Sequence, residues 1–386
     1  MTTNTLYPGL EGIVAAETAL SMVDGEAGEL VIAGFPVSEL ALNATFEETV
    51  VLLWSGSVPE AAALDRFRSA LAERRALRPE ILDLLAAAAR AGAPPMDALR
   101  AAAGAVSLGA TPVPADLFPA AGIRDDDRSY ALALVAAFPT IVAVYARIAA
   151  GKAPLAPRPD LGHAANFLYM LDGQTPAHAR VRGLETYLNT VVDHGLNAST
   201  FAARVIASTD SDLVSAIAGA AGALKGPLHG GAPGPALDMV FEIGEASRAE
   251  SYLRKKIEAG EKLMGFGHRV YKVRDPRADV LAAAAARMYL DGGDMKLYEL
   301  ARSVEATALR LLEEYKPGRR LQTNVEFYTA LLLHGLGLDV PLFTPVFAIS
   351  RVAGWIAHCF EQRRANRLIR PQSVYVGPRG RKWRRS

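Results

Sequence analysis

Apolar runs separated by proline and glycine clusters dominate this chain and predict one helix after another. Thr45 and Glu48 have the spacing of a capping box ahead of one apolar run, and Gly56 stands where that run ends. Pro79 fits the first turn of a later helix. Together these signals predict a mostly helical protein.

One short stretch favours strands instead. In SMVDGEAGELVIAGFPV, Asp24 and Gly25 form a turn signal between two short apolar runs, which predicts a small β-hairpin near the N-terminus. Strand-like runs do not alternate with helices elsewhere, so no βαβ units and no parallel sheet are expected.

The most apolar stretch runs from Tyr130 to Ala146 and lacks charged residues. It is shorter than the roughly 20 apolar residues that cross a bilayer, and Pro139 lies near its middle. This favours a buried core helix, kinked or broken at the proline, over a membrane span. The N-terminus has no basic and apolar regions typical of a secretory signal.

Composition narrows the class of protein further. The 386 residues are 51% hydrophobic and 22% charged, as in a globular protein of ordinary solubility. The net charge of +1 gives no overall attraction to nucleic acid or to a membrane surface, so any anionic ligand must be held by a local cluster. Cys359 is the single cysteine, which rules out an internal disulfide and fits a reducing, cytoplasmic location.

The glycine-rich stretch LMGFGHRVYKVRDPRA, residues 263–278, interrupts the helical pattern. His268 follows Gly265-Phe266-Gly267, and several cations come next: Arg269, Lys272, Arg274 and Arg277. Glycine lets the main chain approach a ligand closely, and main-chain N–H groups bind phosphate or an adenine edge, with Lys262 or Lys272 adding charge. The G-x-G lacks the third glycine and the preceding strand of a dinucleotide site, so it indicates such a site only weakly.

Three of the seven histidines adjoin glycine and are candidates for function: His194, His229 and His268. An ordinary structural role is expected for the other four: His163, His178, His334 and His358. The sequence contains no HExxH, CxxC or GxSxG motif, so neither a metal centre nor a hydrolase nucleophile is expected.

Two imidazoles and one carboxylate can abstract a proton beside a carbonyl group. The carboxylate of Glu326 takes the proton while an imidazole hydrogen-bonds the developing enolate oxygen. Arginines can bind a dicarboxylate as bidentate forks. Whether these residues converge is not decided by the sequence pattern.

Several motifs resemble the citrate synthase family, in order and nearly throughout the chain. They are FEETVVLLWSG, DHGLNASTF, LKGPLHGGA, LMGFGHRVYKVRDPRA, NVEFY, LFTPVFAISRVAGWIAH and NRLIRPQSVYVGP. The form is similar to the short bacterial and archaeal type. The resemblance implies an all-α homodimer with no metal or cofactor, each subunit having a large domain (1–229 and 338–386) and a small domain (230–337) that close over acetyl-CoA and oxaloacetate.

The resemblance also implies roles for individual residues. His229 corresponds to the histidine that stabilises the acetyl-CoA enol, His268 to the donor at the oxaloacetate ketone, and Glu326 to the base that takes a methyl proton. Four residues correspond to oxaloacetate ligands, the last of them reaching the partner subunit's site: His194, Arg277, Arg351 and Arg370. The loop that meets CoA through its main chain corresponds to Leu263, Met264, Gly265, Phe266 and Gly267.

Two motifs depart from the usual family pattern. NVEFY replaces NVDFY, and HGGAPG replaces HGGAN. Glutamate moves the carboxylate by about an ångström, a shift that can cost roughly 100-fold in rate without compensation. Both departures are similar to a branch of minor citrate synthases and methylcitrate-synthase-like enzymes. The alternatives are therefore 2-methylcitrate synthase, which uses propionyl-CoA, or a weakly active paralog that binds CoA or dicarboxylates.

Overall fold

A computed structural model describes residues 6–119, 123–230, 233–268 and 270–383. Within these ranges the chain forms sixteen α-helices and one three-stranded antiparallel sheet, which confirms the prediction of an all-α fold. Arg269, and Gly231 and Ala232 of the HGGAPG stretch, lie outside the described residues.

The first seven helices follow the sheet, and the sixth is the longest of them. They are α1 (Val37–Asn43), α2 (Phe46–Ser55), α3 (Ala61–Ala72), α4 (Pro79–Arg90), α5 (Pro95–Ala105), α6 (Asp125–Ala149) and α7 (His163–Asp172). Short 3-10 turns cover Pro8–Leu10, Val106–Gly109 and Val340–Leu342.

Nine helices complete the fold and carry most of the candidate chemistry. They are α8 (His178–Val191), α9 (Ala198–Ser208), α10 (Leu213–Leu224), α11 (Pro233–Ile243), α12 (Ala246–Glu258), α13 (Pro276–Leu290), α14 (Met295–Tyr315), α15 (Val325–Gly335) and α16 (Phe343–Arg364).

The helix boundaries follow the predicted capping residues. Glu48 N–H donates to Thr45 Oγ1, and the Glu48 side chain accepts from Thr45 N–H, so the capping box of α2 is complete. Gly56 ends α2 in a left-handed conformation with φ 78°. Pro79 occupies the first turn of α4 as predicted.

The apolar stretch around Pro139 is a buried core helix, as predicted, but the proline does not break it. Helix α6 runs through Pro139 without a break, and every residue from Ala131 to Tyr145 is buried. In the described part of the chain, two helical segments are long and apolar enough to cross a membrane, Asp125–Ala149 and Val340–Arg364. In each, about four-fifths of the most apolar window is buried inside the protein (83% and 78%), so packing accounts for their composition.

The predicted hairpin is present, and a third short strand extends it. Strand β1 (Ser21–Asp24) pairs with β2 (Glu29–Ile32), which pairs with β3 (Phe35–Pro36). The turn between β1 and β2 packs on the glycine-rich segment, where Lys272 N–H donates to Gly25 O at 2.8 Å. A Cβ atom on Gly25 would lie 2.2 Å from Val270 O, so this close approach requires glycine.

The candidate site lies where five helices approach one another. Helix α13 packs against both α8 and α15, and α16 packs against α8 and α9. Nearly all of α16 is buried, from Phe343 through Gln362. Rigid helices therefore position most side chains of the site.

Candidate active site

Two cavities share a pair of side chains. The histidine cavity, of about 180 Å³, is lined by Tyr187, Val191, His194, Asn197, His229, His268, Val270, Arg277, Val325, Glu326, Thr329, Phe347 and Arg351. The glycine-loop cavity, of about 410 Å³, is lined by residues 261–268 and by Leu312, Lys316, Arg319, Leu321, Asn324 and Glu326. His268 and Glu326 belong to both linings, so ligands in the two cavities would meet at these side chains.

His268 is held in one tautomer by the main chain. Its Nδ1 accepts hydrogen bonds from the N–H groups of Val270 and Tyr271, both at 3.0 Å. A nitrogen that accepts carries no proton, so the neutral ring has its hydrogen on Nε2. Burial, and then the charge of Arg277, lower the pKa of His268 to about 4. At neutral pH this ring is therefore an uncharged hydrogen-bond donor.

Arg277 approaches His268 from the start of α13. Asp275 caps that helix and accepts hydrogen bonds from the Arg277 Nε and Nη2 atoms at 3.0 and 2.8 Å. Arg277 Nη2 lies 3.4 Å from His268 Nε2. Both atoms carry hydrogen, so together they favour an acceptor oxygen of a ligand beside them.

His194 and Arg351 complete the cationic side of the histidine cavity. His194 Nε2 is 3.1 Å from the Tyr271 hydroxyl, and the His194 and His268 ring centroids are 6.2 Å apart. Arg351 is 1% exposed, donates from Nε to Val191 O at 2.7 Å, and lies 4.7 Å from the Phe347 ring centroid. A buried arginine with free fork positions is suited to bind a carboxylate.

A buried network holds the segment around His194. Asp193, fully buried, accepts from Ser21 Oγ and lies 3.1 Å from His358 Nε2. Ser21 Oγ in turn accepts from Gly195 N–H at 2.8 Å. The network reaches the C-terminal helix, because Ala19 N–H donates to Glu361 Oε1 at 2.9 Å. Ala19, near one end of the described chain, thus contacts α16, near the other.

His229 lies in a turn after α10 and is positioned by a serine. Its Nε2 is 2.8 Å from Ser199 Oγ, which also accepts from Trp355 Nε1 at 3.0 Å and lies 2.8 Å from Asn197 Oδ1. Burial, and then Arg351, lower the pKa of His229 to about 4. This second imidazole is likewise uncharged at neutral pH.

Glu326 stands in the first turn of α15, where its N–H donates to the capping side chain of Asn324 at 3.0 Å. Burial raises the pKa of the Glu326 carboxyl to about 7, with Arg277 opposing the shift. A carboxyl group with this pKa exchanges protons readily near neutral pH.

The glycine-rich loop is fixed by main-chain hydrogen bonds. Gly267 N–H donates to Gln322 O at 2.7 Å, and Asn324 N–H donates to Gly265 O at 3.0 Å. Gly265 has φ +87°, and a Cβ there would lie 2.9 Å from Phe327, so glycine is required. The predicted loop residues line the glycine-loop cavity: Lys262, Leu263, Met264, Gly265, Phe266 and Gly267.

Two predicted residues lie outside both cavity linings. Lys272 is exposed and packs by its main chain against Gly25 instead. Arg370 is exposed beyond the end of α16. Among the four histidines expected to be structural, His163 and His358 are buried away from the cavities.

Sequence reasoning missed several lining residues: Tyr187, Asn197, Lys316, Arg319 and Phe347. Lys316 and Arg319 belong to the YKPGRR stretch, whose proline and glycine gave a loop signal. Asn197 follows His194 in DHGLNAST. Tyr187 and Phe347 lie within helical sequence and carry no local signal of function.

Comparison with known proteins is consistent with this geometry. Residues 9–372 match the family model for the citrate synthase C-terminal domain. Citrate synthase 2 of Bacillus subtilis is 42% identical, covering 97% of this chain and 96% of its own, and a 2-methylcitrate synthase of Mycobacterium tuberculosis is 39% identical, covering 96% and 90%.

A solved structure matches over nearly the whole chain. The ternary complex of carboxymethyl coenzyme A and oxaloacetate with citrate synthase from Thermoplasma acidophilum superposes with a TM-score of 0.86 at 30% identity, covering 98% of both chains. Identities of this size over full-length matches establish common descent as well as a common fold. The chain therefore belongs to the citrate synthase family.

Proposed function

We propose that this chain is an acyltransferase that condenses acetyl-CoA with oxaloacetate to give citrate and CoA. The observation that carries the proposal is the junction of the two cavities at His268 and Glu326. A CoA thioester in the glycine-loop cavity and a 2-oxo dicarboxylate in the histidine cavity would bring the two reacting carbons together there.

Oxaloacetate binds in the histidine cavity in this proposal. Arg277 and Arg351 supply fixed charges for its carboxylates, and His194 adds a hydrogen bond. The acceptor position beside His268 Nε2 and Arg277 Nη2 suits the ketone oxygen and an adjoining carboxylate oxygen. Arg370 of the partner subunit would add a further charge.

The acetyl group then reacts at the junction. Glu326 takes a methyl proton, and His229 hydrogen-bonds the enol oxygen. The enol carbon attacks the oxaloacetate ketone while His268 donates to the oxygen that becomes a hydroxyl. Water then hydrolyses citryl-CoA to citrate and CoA. Side chains and the thioester supply this chemistry without a metal or prosthetic group.

The proposal includes a cytoplasmic homodimer with large domains (1–229 and 338–386) and small domains (230–337) that close over the substrates. Apolar side chains exposed in both terminal segments support an interface there: Val14 is 89% exposed and Val376 is 93% exposed. A closed site would exclude water until citryl-CoA has formed.

Release of free CoA thiol tests the proposal directly. Citrate synthase activity predicts thiol release from acetyl-CoA that depends on oxaloacetate, whereas a binding paralog releases none. The similarity to a 2-methylcitrate synthase supports a second candidate that uses propionyl-CoA. One methylene is worth only about 1–3 kcal/mol in such a pocket, so kcat/KM must be compared for both thioesters.

The pH dependence of kcat/KM follows from the general base. Glu326 takes a proton only when ionised, and its pKa is about 7, so kcat/KM is expected to rise with pH and level off above about 7. His229 and His268 are already uncharged throughout this range. A profile that stays flat from about pH 5.5 to 8.5 would contradict this assignment.

Lys316 and Arg319 are expected to bind the phosphates of CoA, because both line the glycine-loop cavity. The double variant Lys316→Gln, Arg319→Gln should raise the KM for acetyl-CoA about tenfold, from two ion pairs of roughly 1 kcal/mol or less each. The KM for oxaloacetate should not change. A charge-matched control, Lys152→Gln with Arg90→Gln, alters two exposed cations away from both cavities. Equal effects in the two double variants would exclude a local role.

A further inference from the structure

Tyr187 is a buried tyrosine on α8 whose ring lines the histidine cavity. It is 1% exposed, yet its hydroxyl makes no hydrogen bond to any residue in the described ranges. The other buried tyrosines in those ranges do have hydroxyl partners: Tyr145 with Ala93 O, Tyr271 with His194, Tyr289 with Leu331 O and Tyr328 with Glu305. A buried tyrosine hydroxyl normally finds a partner, so this one is available to a ligand.

The charges around Tyr187 define which ligand group it would meet. The charge of Glu326 disfavours ionisation of the phenol, whereas the charges of Arg277 and Arg351 favour it. Burial, and then Glu326, raise the pKa of the Tyr187 hydroxyl, so the phenol keeps its proton and is a hydrogen-bond donor. A donor near two arginines suits an anionic oxygen.

The structure offers two acceptors to such a donor, the Glu326 carboxylate and an oxygen of a bound substrate. The hydroxyl makes no hydrogen bond to Glu326, although both residues line the same cavity. A dicarboxylate held by Arg277 and Arg351 would place its oxygens in the cavity that Tyr187 also lines.

Resting on the proposed function, we infer that the Tyr187 hydroxyl donates a hydrogen bond to a carboxylate oxygen of the 2-oxo dicarboxylate held by Arg277 and Arg351. Tyr187 is thus a further substrate-binding residue. Its position on the rigid α8 fixes the depth to which the dicarboxylate enters the cavity.

Tyr187→Phe tests this contact, because it removes the hydroxyl and keeps the ring that fills the core. The KM for oxaloacetate, and its Kd by titration calorimetry, should rise about 10- to 100-fold, as for loss of a hydrogen bond to a charged group. The KM for acetyl-CoA should stay within about twofold of the native value. The matched control is Tyr145→Phe, which removes a buried hydroxyl from α6 outside both cavity linings and should leave both KM values unchanged.

Two results would overturn the inference. One is an unchanged oxaloacetate Kd in Tyr187→Phe. The other is a lower kcat with a shifted midpoint in its pH profile and an unchanged oxaloacetate Kd. That result would indicate that the hydroxyl hydrogen-bonds the Glu326 carboxylate instead. Native protein that binds oxaloacetate but releases no CoA thiol would refute the proposed reaction while leaving the Tyr187 contact measurable by calorimetry.

Discussion

Glu326→Gln is expected to lower kcat by about 100- to 10,000-fold and to abolish exchange of the acetyl methyl protons with solvent. The amide preserves the size of the side chain but cannot take a proton. Burial raises the pKa of the native carboxyl to about 7, so the variant loses a base stronger than an exposed glutamate. The rate of thiol release measures kcat. NMR in deuterated water, with oxaloacetate or an unreactive analogue present, measures the exchange of the acetyl methyl protons.

Two further variants separate chemistry from general effects on charge. Glu313→Gln changes an exposed acid on α14 and should behave as native protein. Glu326→Asp keeps the acid but withdraws it by about an ångström, so it should retain more activity than the glutamine variant. Native rates in Glu326→Gln would exclude this residue as the base.

Arg277→Leu is expected to raise the KM for oxaloacetate about 100-fold or more, because it removes a buried charge from the substrate carboxylate. It also leaves the fully buried Asp275 without its ion-pair partner, at a cost of about 3–5 kcal/mol in the free energy of unfolding. Steady-state kinetics measure the first effect, and urea denaturation measures the second. The KM for acetyl-CoA should change little.

The lysine variant separates folding from binding. Arg277→Lys keeps a positive charge near Asp275 but loses the bidentate fork, so it should recover stability more fully than oxaloacetate affinity. Arg287→Leu, on the exposed side of the same helix, serves as the matched control. If both Arg277→Lys and Arg277→Leu had the same oxaloacetate KM as the native protein, Arg277 would not be a ligand of oxaloacetate.

The fold could be predicted from sequence where local signals determine it. The capping box at Thr45, the left-handed Gly56 and the N-terminal hairpin all depend on neighbouring residues, and all are present. The third strand is only two residues long and gave no recognisable pattern. The predicted core helix around Pro139 is present, although a proline signal alone does not show whether the helix continues beyond it.

The site depends on contacts that no local pattern contains. His194, His229 and His268 could be selected by their glycine neighbours, but their convergence is a property of the tertiary structure. The protonated nitrogen of His268 follows from main-chain donors at Val270 and Tyr271, which only coordinates reveal. The sequence pattern did not select Tyr187, because a tyrosine within a helix is usually an ordinary core residue.

The hydrogen bond from Ala19 N–H to Glu361 Oε1 has a consequence for biosynthesis. Its partners are 342 positions apart, and α16, which ends the helical fold, also supplies Arg351. A nascent chain can form this hydrogen bond, and place Arg351 in the histidine cavity, only after α16 has left the ribosome. Nascent chains that lack α16 would therefore lack Arg351 and, on the proposed function, would bind oxaloacetate poorly.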